Sequence, residues 1–284
     1  MEELELQLAK AAQMTREGGS VCVLTGAGIS AESGIPTFRG DDGIWSRFPP
    51  DLFARRLGLV FTFFMFPSWF REFLVESMKL FVQASPNPAH TLLASFEQSG
   101  LLKGIITQNV DELHQDAGSQ SVLEVHGSFF RSRCQDCDAS VRIEKSTVLE
   151  WAERLHSENM GRWKMWKMLR REVLCCQSCG GRRMPALVLF GDPLPEEVWD
   201  ASVALAKTCK VMWILGTSAA VQPVASLPFL AKEAGATLIE INPELSGLSH
   251  FVDVHLPMKG QEALERLAEL LGNEEEGARR SGGD

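Results

Sequence analysis

Apolar positions along this chain follow two spacings. Among residues 2–17, Leu4, Leu6, Leu8, Ala11, Ala12 and Met14 recur between charges at helix-compatible intervals, and Gly18-Gly19 ends the pattern. Val21-Cys22-Val23-Leu24 is instead continuously apolar, as a strand buried on both faces requires. Similar short runs follow at 104–107, 186–190, 211–215 and 237–241. Helix-compatible segments at 89–98, 195–207 and 225–234 separate several of them. Strand–helix alternation with apolar strands predicts an α/β fold on a parallel sheet.

Two regions interrupt that rhythm. Residues 41–88 are rich in Phe and Trp with scattered charges and predict a helical insertion. Residues 128–185 hold two CxxC pairs around a long charged segment. The sheet domain is therefore expected over 1–40, 89–127 and 186–272, with the helical insertion at 41–88 and a metal-binding module at 128–185. The polar, Gly-rich residues 273–284 predict a disordered tail.

Composition narrows the classes. The formal net charge of −9 over 284 residues argues against a general nucleic-acid binder, whose affinity rests on neutralising phosphates. No apolar run is long enough to span a bilayer, and the acidic, amphipathic N-terminus is unlike a signal peptide. Neither a membrane nor a direct nucleic-acid partner is expected, and the reading is a cytoplasmic protein. The seven cysteines then favour a metal site over a disulfide framework.

Candidate chemistry gathers at strand ends. Gly26-Ala27-Gly28 follows the first strand, and Ala31 stands where a dinucleotide fingerprint allows a third glycine. Such a loop fits either phosphate binding or a merely structural turn. Polar clusters at 107–111, 216–218 and 242–244 sit at other strand ends, where open parallel sheets bind ligands. His126 ends a short strand before Gly127, and its near-neutral pKa suits a general base. His90 fits helix capping or packing, and His114 either a ligand contact or a local bond. Cys134, Cys137, Cys176 and Cys179 form two knuckles suited to tetrahedral Zn2+, with Cys175 as an alternative ligand; a redox pair is the competing reading. Cys22 and Cys209 are expected in the core.

These residues together resemble the sirtuin family of NAD-dependent protein lysine deacylases. The likeness rests on GAGISAESGIPTFRG (26–40), PNPAH (86–90), TQNVDELH (107–114), HGS (126–128), both CxxC pairs, FGDPLP (190–195), GTS (216–218) and INPE (241–244). The resemblance implies a Rossmann-like domain with an inserted small zinc-ribbon and helical domain, and substrates in the cleft between them. It implies NAD as co-substrate, held by Ala27, Gly28, Ala31, Glu32, Thr37, Phe38, Arg39 and Gln108, with Gly216, Thr217, Ser218 and Asn242 on the adenosine half. His126, Asn109 and Asp111 would be catalytic, with His126 the general base toward the ribose hydroxyls. Acyl-lysine protein substrates would lie along Val188, Leu189, Phe190 and Gly191, and the zinc would be structural. Products would be free lysine, nicotinamide and O-acyl-ADP-ribose. Protein mono-ADP-ribosyl transfer from the same NAD site is the alternative activity.

Departures from the family's pattern bear on the acyl group. Thr37 replaces a usual Asp and resembles the subgroup that removes succinyl and malonyl groups. That subgroup binds the acyl carboxylate through a Tyr and an Arg, but this chain has no Tyr, and Glu76 and Lys79 stand at the positions an ungapped count assigns. The Phe-rich insertion suits an apolar acyl pocket or plain core packing. Acetyl or longer apolar acyl groups are therefore expected over succinyl. Asp192 replaces a usual Glu and Leu189 a usual aromatic. The charged segment 154–171 reads as a solvated helix or as a docking surface for an acidic partner.

Overall fold

The computed structural model describes residues 2–37, 44–157 and 160–281, apart from the side chains of Trp45, Ser157 and residues 273–281. In chain order the strands are β1 (Val21–Thr25), β2 (Leu102–Thr107), β3 (Val122–Glu124), β4 (Gly127–Cys134), β5 (Ser140–Arg142), β6 (Arg183–Leu187), β7 (Val211–Leu215), β8 (Thr237–Ile241) and β9 (Val254–Leu256). One sheet is parallel throughout, in the order β3-β2-β1-β7-β8-β9. The other is antiparallel, in the order β5-β4-β6.

Continuous apolar runs form the centre of the parallel sheet because helices cover both of its faces. Every residue of β1 and β7 is buried. Val21 and Val23 face a core with Leu8, Leu93 and Trp213, while Cys22 and Leu24 face another with Ala206, Cys209 and Met212. The Trp213 indole N–H reaches the Thr15 hydroxyl at 3.2 Å, which satisfies its one donor inside the core. Cys22 and Cys209 are thus core residues, as the sequence predicts.

The helices Glu2–Gly18, Pro88–Gln98, Glu196–Thr208 and Leu227–Glu233 fall where the apolar spacing places them. The run at 186–190 does not join the parallel sheet. Its first two residues end β6, where Leu187 pairs with Gly127 of β4. A Cβ at Gly127 would lie 1.8 Å from the Ala186 carbonyl oxygen, so this crossing requires glycine, whose φ is +75.

Residues 44–83 form the helices Ile44–Arg47, Pro50–Phe53, Arg56–Met65 and Pro67–Gln83. The second insertion adds Lys145–Ser157 and Arg162–Met168. The two regions share one core, in which Phe63, Phe70 and Met78 meet Val148, Trp151 and Met165. Gly58 lets the chain double back, since a Cβ there would meet the Asp51 carbonyl oxygen at 2.3 Å. No helix among the described residues is long and apolar enough to cross a membrane. The chain's last helix is Gly260–Ser281, whose backbone takes in 273–281 of the segment expected to be a disordered tail; the side chains from 273 onward and residues 282–284 lie outside the described residues.

Candidate active site

Strand order reverses direction between β1 and β7, and the loops leaving these strands diverge there into a crevice. Both loops need bare backbone to fit together. The Gly28 N–H donates to the Gly216 carbonyl at 2.8 Å, and a Cβ on Gly28 would lie 2.6 Å from the Gly216 Cα. Gly216 itself has φ +57 and would drive a Cβ to 2.6 Å from the Ile29 nitrogen. The chain then winds into a 3-10 helix, Ala27–Ser33, that stops on Gly34 at φ 87. The sequence reads this stretch as a loop, and the structure winds it into short 3-10 turns instead.

The loop after β2 closes against this turn. The Asn109 amide donates to the Gly26 carbonyl at 3.1 Å and to the Ser30 hydroxyl at 3.0 Å. Ser30 in turn donates to Asp111 at 2.7 Å, and the Leu113 N–H donates to the other Asp111 oxygen at 3.0 Å. Burial pushes the Asp111 carboxyl up from its ordinary value, against the lowering pull of those hydrogen bonds. Asp111 therefore sits behind the cavity and acts on Asn109 through Ser30. The Gln108 amide donates to the Thr217 hydroxyl at 2.9 Å, and that of Asn242 to the Thr217 carbonyl at 3.3 Å, which joins the loops after β2, β7 and β8.

His126 follows the end of β3. Its Nδ1 lies 3.0 Å from the Gln108 carbonyl oxygen, which can only accept, so the neutral ring carries its proton on Nδ1. Nε2 keeps a free lone pair. Burial lowers the His126 pKa, partly offset by that same hydrogen bond, so the ring is neutral at physiological pH. The backbone beyond β6 runs alongside, with the Val188 N–H donating to the His126 carbonyl at 3.0 Å. Further along, the Phe190 N–H donates to the Ala54 carbonyl at 2.8 Å, and Asp192 pairs with Arg56 at 2.7 Å. Burial raises the Asp192 carboxyl, but Arg56 and the Leu189 N–H outweigh it and hold the pKa low. The helical insertion thereby fixes one wall of the cleft.

Between these loops lies one cavity of about 880 Å³. Gly26, Ala27, Gly28, Thr37, Gln108, Asn109, His126, Gly216, Thr217, Ser218 and Asn242 form its polar part, and residues 188–191 one edge. Phe63, Phe70, Phe73, Met78, Phe81, Phe129, Trp151 and Trp166 extend it into the helical insertion. No Lys or Arg lines it among the described residues. Ala31 and Glu32 lie on the exposed side of the 3-10 helix, off the cavity wall, where Glu32 pairs with Lys259 at 3.6 Å. Phe38 and Arg39 lie outside the described residues. Glu76 binds Arg47 at 2.8 Å at the surface, and neither it nor Lys79 reaches the cavity.

His90 completes a capping box with Asn87 and is held neutral by burial, its pKa lowered to about 4. His114 bonds to the Thr25 hydroxyl at 3.1 Å, and Thr25 donates to Thr107 at 2.8 Å. Both imidazoles are buried beneath the site. Ser30 lies in the glycine loop but carries no signal of its role in the sequence, because its partners come from a distant loop.

In the small sheet the thiols of Cys134, Cys137, Cys176 and Cys179 all lie within 4.8 Å of one another. The pairs 134/179 and 137/176 are 3.6 and 3.9 Å apart. A tetrahedral Zn2+ with bonds of about 2.3 Å needs sulfurs about 3.8 Å apart, so the cluster fits that ion. Backbone N–H groups of Asp136 and Gly181 donate to Cys134 and Cys179 at 3.4 Å each, which would stabilise thiolate charge. Cys175 lies outside the cluster, with its thiol directed at the Cys176 and Gly180 carbonyls.

Comparison with known proteins agrees with this geometry. Residues 26–223 match the model of the Sir2 family. An NAD-dependent protein deacylase of Aeropyrum pernix is 44% identical over 248 residues, covering 87% of this chain and 91% of the relative. One from Pyrococcus furiosus is 37% identical over 264 residues, covering 93% and 98%. Among solved structures, a Sir2 homologue mutant bound to ADP-ribose superposes with TM-score 0.78 at 34% identity, covering 94% of this chain and 97% of the other. A Sir2 homologue–NAD complex gives TM-score 0.75 at 35% identity, covering 92% and 93%.

Proposed function

The chain belongs to the Sir2 family, and we propose from that premise how its site works. It is an NAD-dependent protein deacylase that returns acylated lysine to the free amine and releases nicotinamide and O-acyl-ADP-ribose. The observation that carries this reading is one cavity joining the two glycine loops, the open Nε2 of His126 and the edge at 188–191.

When bound, NAD supplies the ribose carbon that accepts the acyl oxygen. Ala27, Gly28 and Thr37 would hold it from the β1 side, and Gly216, Thr217, Ser218 and Asn242 from the β7 and β8 side. Gln108 and Asn109 lie at its ribose and nicotinamide end, with Asp111 fixing Asn109 through Ser30. Ala31, Glu32, Phe38 and Arg39 belong to this loop on the strength of the motif. His126 acts as general base, because Nε2 is unprotonated and its ring is held by Gln108. Val188, Leu189, Phe190 and Gly191 would seat the acyl-lysine chain.

The wall bears on the acyl group. Aromatic and aliphatic side chains, with no cation among the described residues, favour acetyl or longer apolar groups over succinyl, whose carboxylate would be desolvated unpaired. Cys134, Cys137, Cys176 and Cys179 would hold one structural Zn2+, leaving no open coordination position. A cytoplasmic setting accords with that thiolate cluster, which a reducing compartment preserves.

Mass spectrometry of a reaction with an acyl-lysine protein tests the activity. Free O-acyl-ADP-ribose in step with lysine deacylation is expected. ADP-ribose attached to the protein without deacylation would shift the reading to the transferase alternative.

A further inference from the structure

The helical insertion leaves a broad apolar face uncovered. On the helix Arg56–Met65 and just after it, Leu57, Phe61, Met65 and Phe66 are exposed, Leu57 to 84%. The helix Arg162–Met168 adds Trp163, exposed to 67%, and the two helices touch. Arg162 donates to the Phe64 carbonyl at 2.9 Å, and its guanidinium lies 5.9 Å from the Phe64 ring centre and 5.6 Å from that of Trp163. An apolar face of this kind marks an interaction site.

Charge and shape narrow the occupant. Lys164, Lys167, Arg170 and Arg171 are exposed beside the aromatic residues, and none of them makes an ion pair among the described residues. A strongly acidic chain thus carries a local block of uncompensated cations. The face is also indented, because Val60, Phe64 and Trp166 belong both to it and to the wall of the cavity. A concavity suits an inserted side chain better than the flat surface of a bilayer. A second copy of this chain in a two-fold contact would set the cations against themselves. Aromatic residues, Met and Arg at the centre are the composition of a protein-binding patch.

We infer that the face formed by helices Arg56–Met65 and Arg162–Met168 docks an acidic protein segment carrying apolar anchors. The anchors lie over Phe61, Met65 and Trp163, and the carboxylates meet Lys164, Lys167, Arg170 and Arg171. The segment charged between the cysteine pairs is then a recognition element, and its binding does not depend on catalysis.

A fluorescein-labelled helical peptide with Leu and Phe on one face and Glu on the other serves as the probe, followed by anisotropy with the full-length chain. A matched peptide with Lys in place of Glu is the control. Saturable binding of the Glu peptide is expected, at least tenfold weaker for the Lys peptide and for the K164E/K167E and F61S/W163S variants. Increasing salt weakens it further. The variants leave turnover of a short acyl-lysine peptide unchanged, since these side chains lie off the cavity. No binding of the Glu peptide, or equal binding of both peptides, overturns the proposal. So does sedimentation with phosphatidylglycerol vesicles that the K164E/K167E variant abolishes, which would assign the face to membrane. A concentration-dependent dimer that F61S/W163S dissociates would assign it to self-association.

Discussion

His126 and Gln108 come from different strand ends, and the imidazole Nδ1–H donates to the Gln108 backbone carbonyl at 3.0 Å. That bond selects the tautomer that leaves Nε2 unprotonated on a ring lining the cavity, so the proposed base is prepared before any ligand enters. The ring's buried setting lowers its pKa below the ordinary 6.5. The kcat/KM of deacylation should therefore rise with pH through an apparent pKa below 6.5 and stay flat above it. A midpoint at or above 7 in a pH–rate profile would contradict this assignment.

Ser30 links the glycine turn to the loop after β2 by bonding both Asn109 and Asp111. Ser30→Ala leaves the buried Asp111 carboxylate short of a donor, at a cost of about 1–3 kcal/mol. The expected outcome is a lower Tm together with a raised KM for NAD, because Asn109 keeps only the Gly26 carbonyl of its two acceptors. Unchanged values of both would show that the relay has no role.

The four-cysteine cluster predicts one zinc per chain by elemental analysis. Cys179→Ser should lose the metal and lower Tm, since the β4–β6 sheet is tied through these knuckles. Cys175→Ser should keep both, because that thiol points away from the cluster.

Glu124 ends β3 with one buried oxygen unpartnered. Burial pushes its pKa up to about 7, against the opposing pull of Arg131. Between about 4.5 and 7 the folded chain thus keeps a proton that the unfolded chain has lost, and stability falls as pH rises through that window. The contribution is about 3 kcal/mol across the window. Glu124→Gln should flatten that part of the pH–stability curve; curves that stay parallel from pH 4.5 to 7.5 would refute it.

Much of this was legible in the residues themselves. The core of β1 and β7 follows from unbroken apolar runs, and the metal cluster from two CxxC spacings. The Asn109–Ser30–Asp111 relay was not legible, because it needs two loops 79 and 81 residues apart in sequence to meet. Nor was the placement of 186–187 in the antiparallel sheet, since a short apolar run does not state its partner. β9 is only three residues long and left no signal. In the Phe-rich insertion, composition did not tell Phe63 in the core from Phe61 at the surface. Counting without gaps put Glu76 and Lys79 where an acyl group would lie, but the helix Pro67–Gln83 turns both away from the cavity.

The most direct measurement is nicotinamide release from NAD by the zinc-loaded chain, with acetyl-, succinyl- and long-chain-acyl-lysine peptides, beside His126→Ala. Release is expected to require an acyl peptide and to favour the apolar acyl groups, with the acyl-ADP-ribose yield falling at least about 100-fold in the variant. Release that needs no acyl peptide, or an acyl-ADP-ribose yield unchanged in the variant, would contradict this expectation.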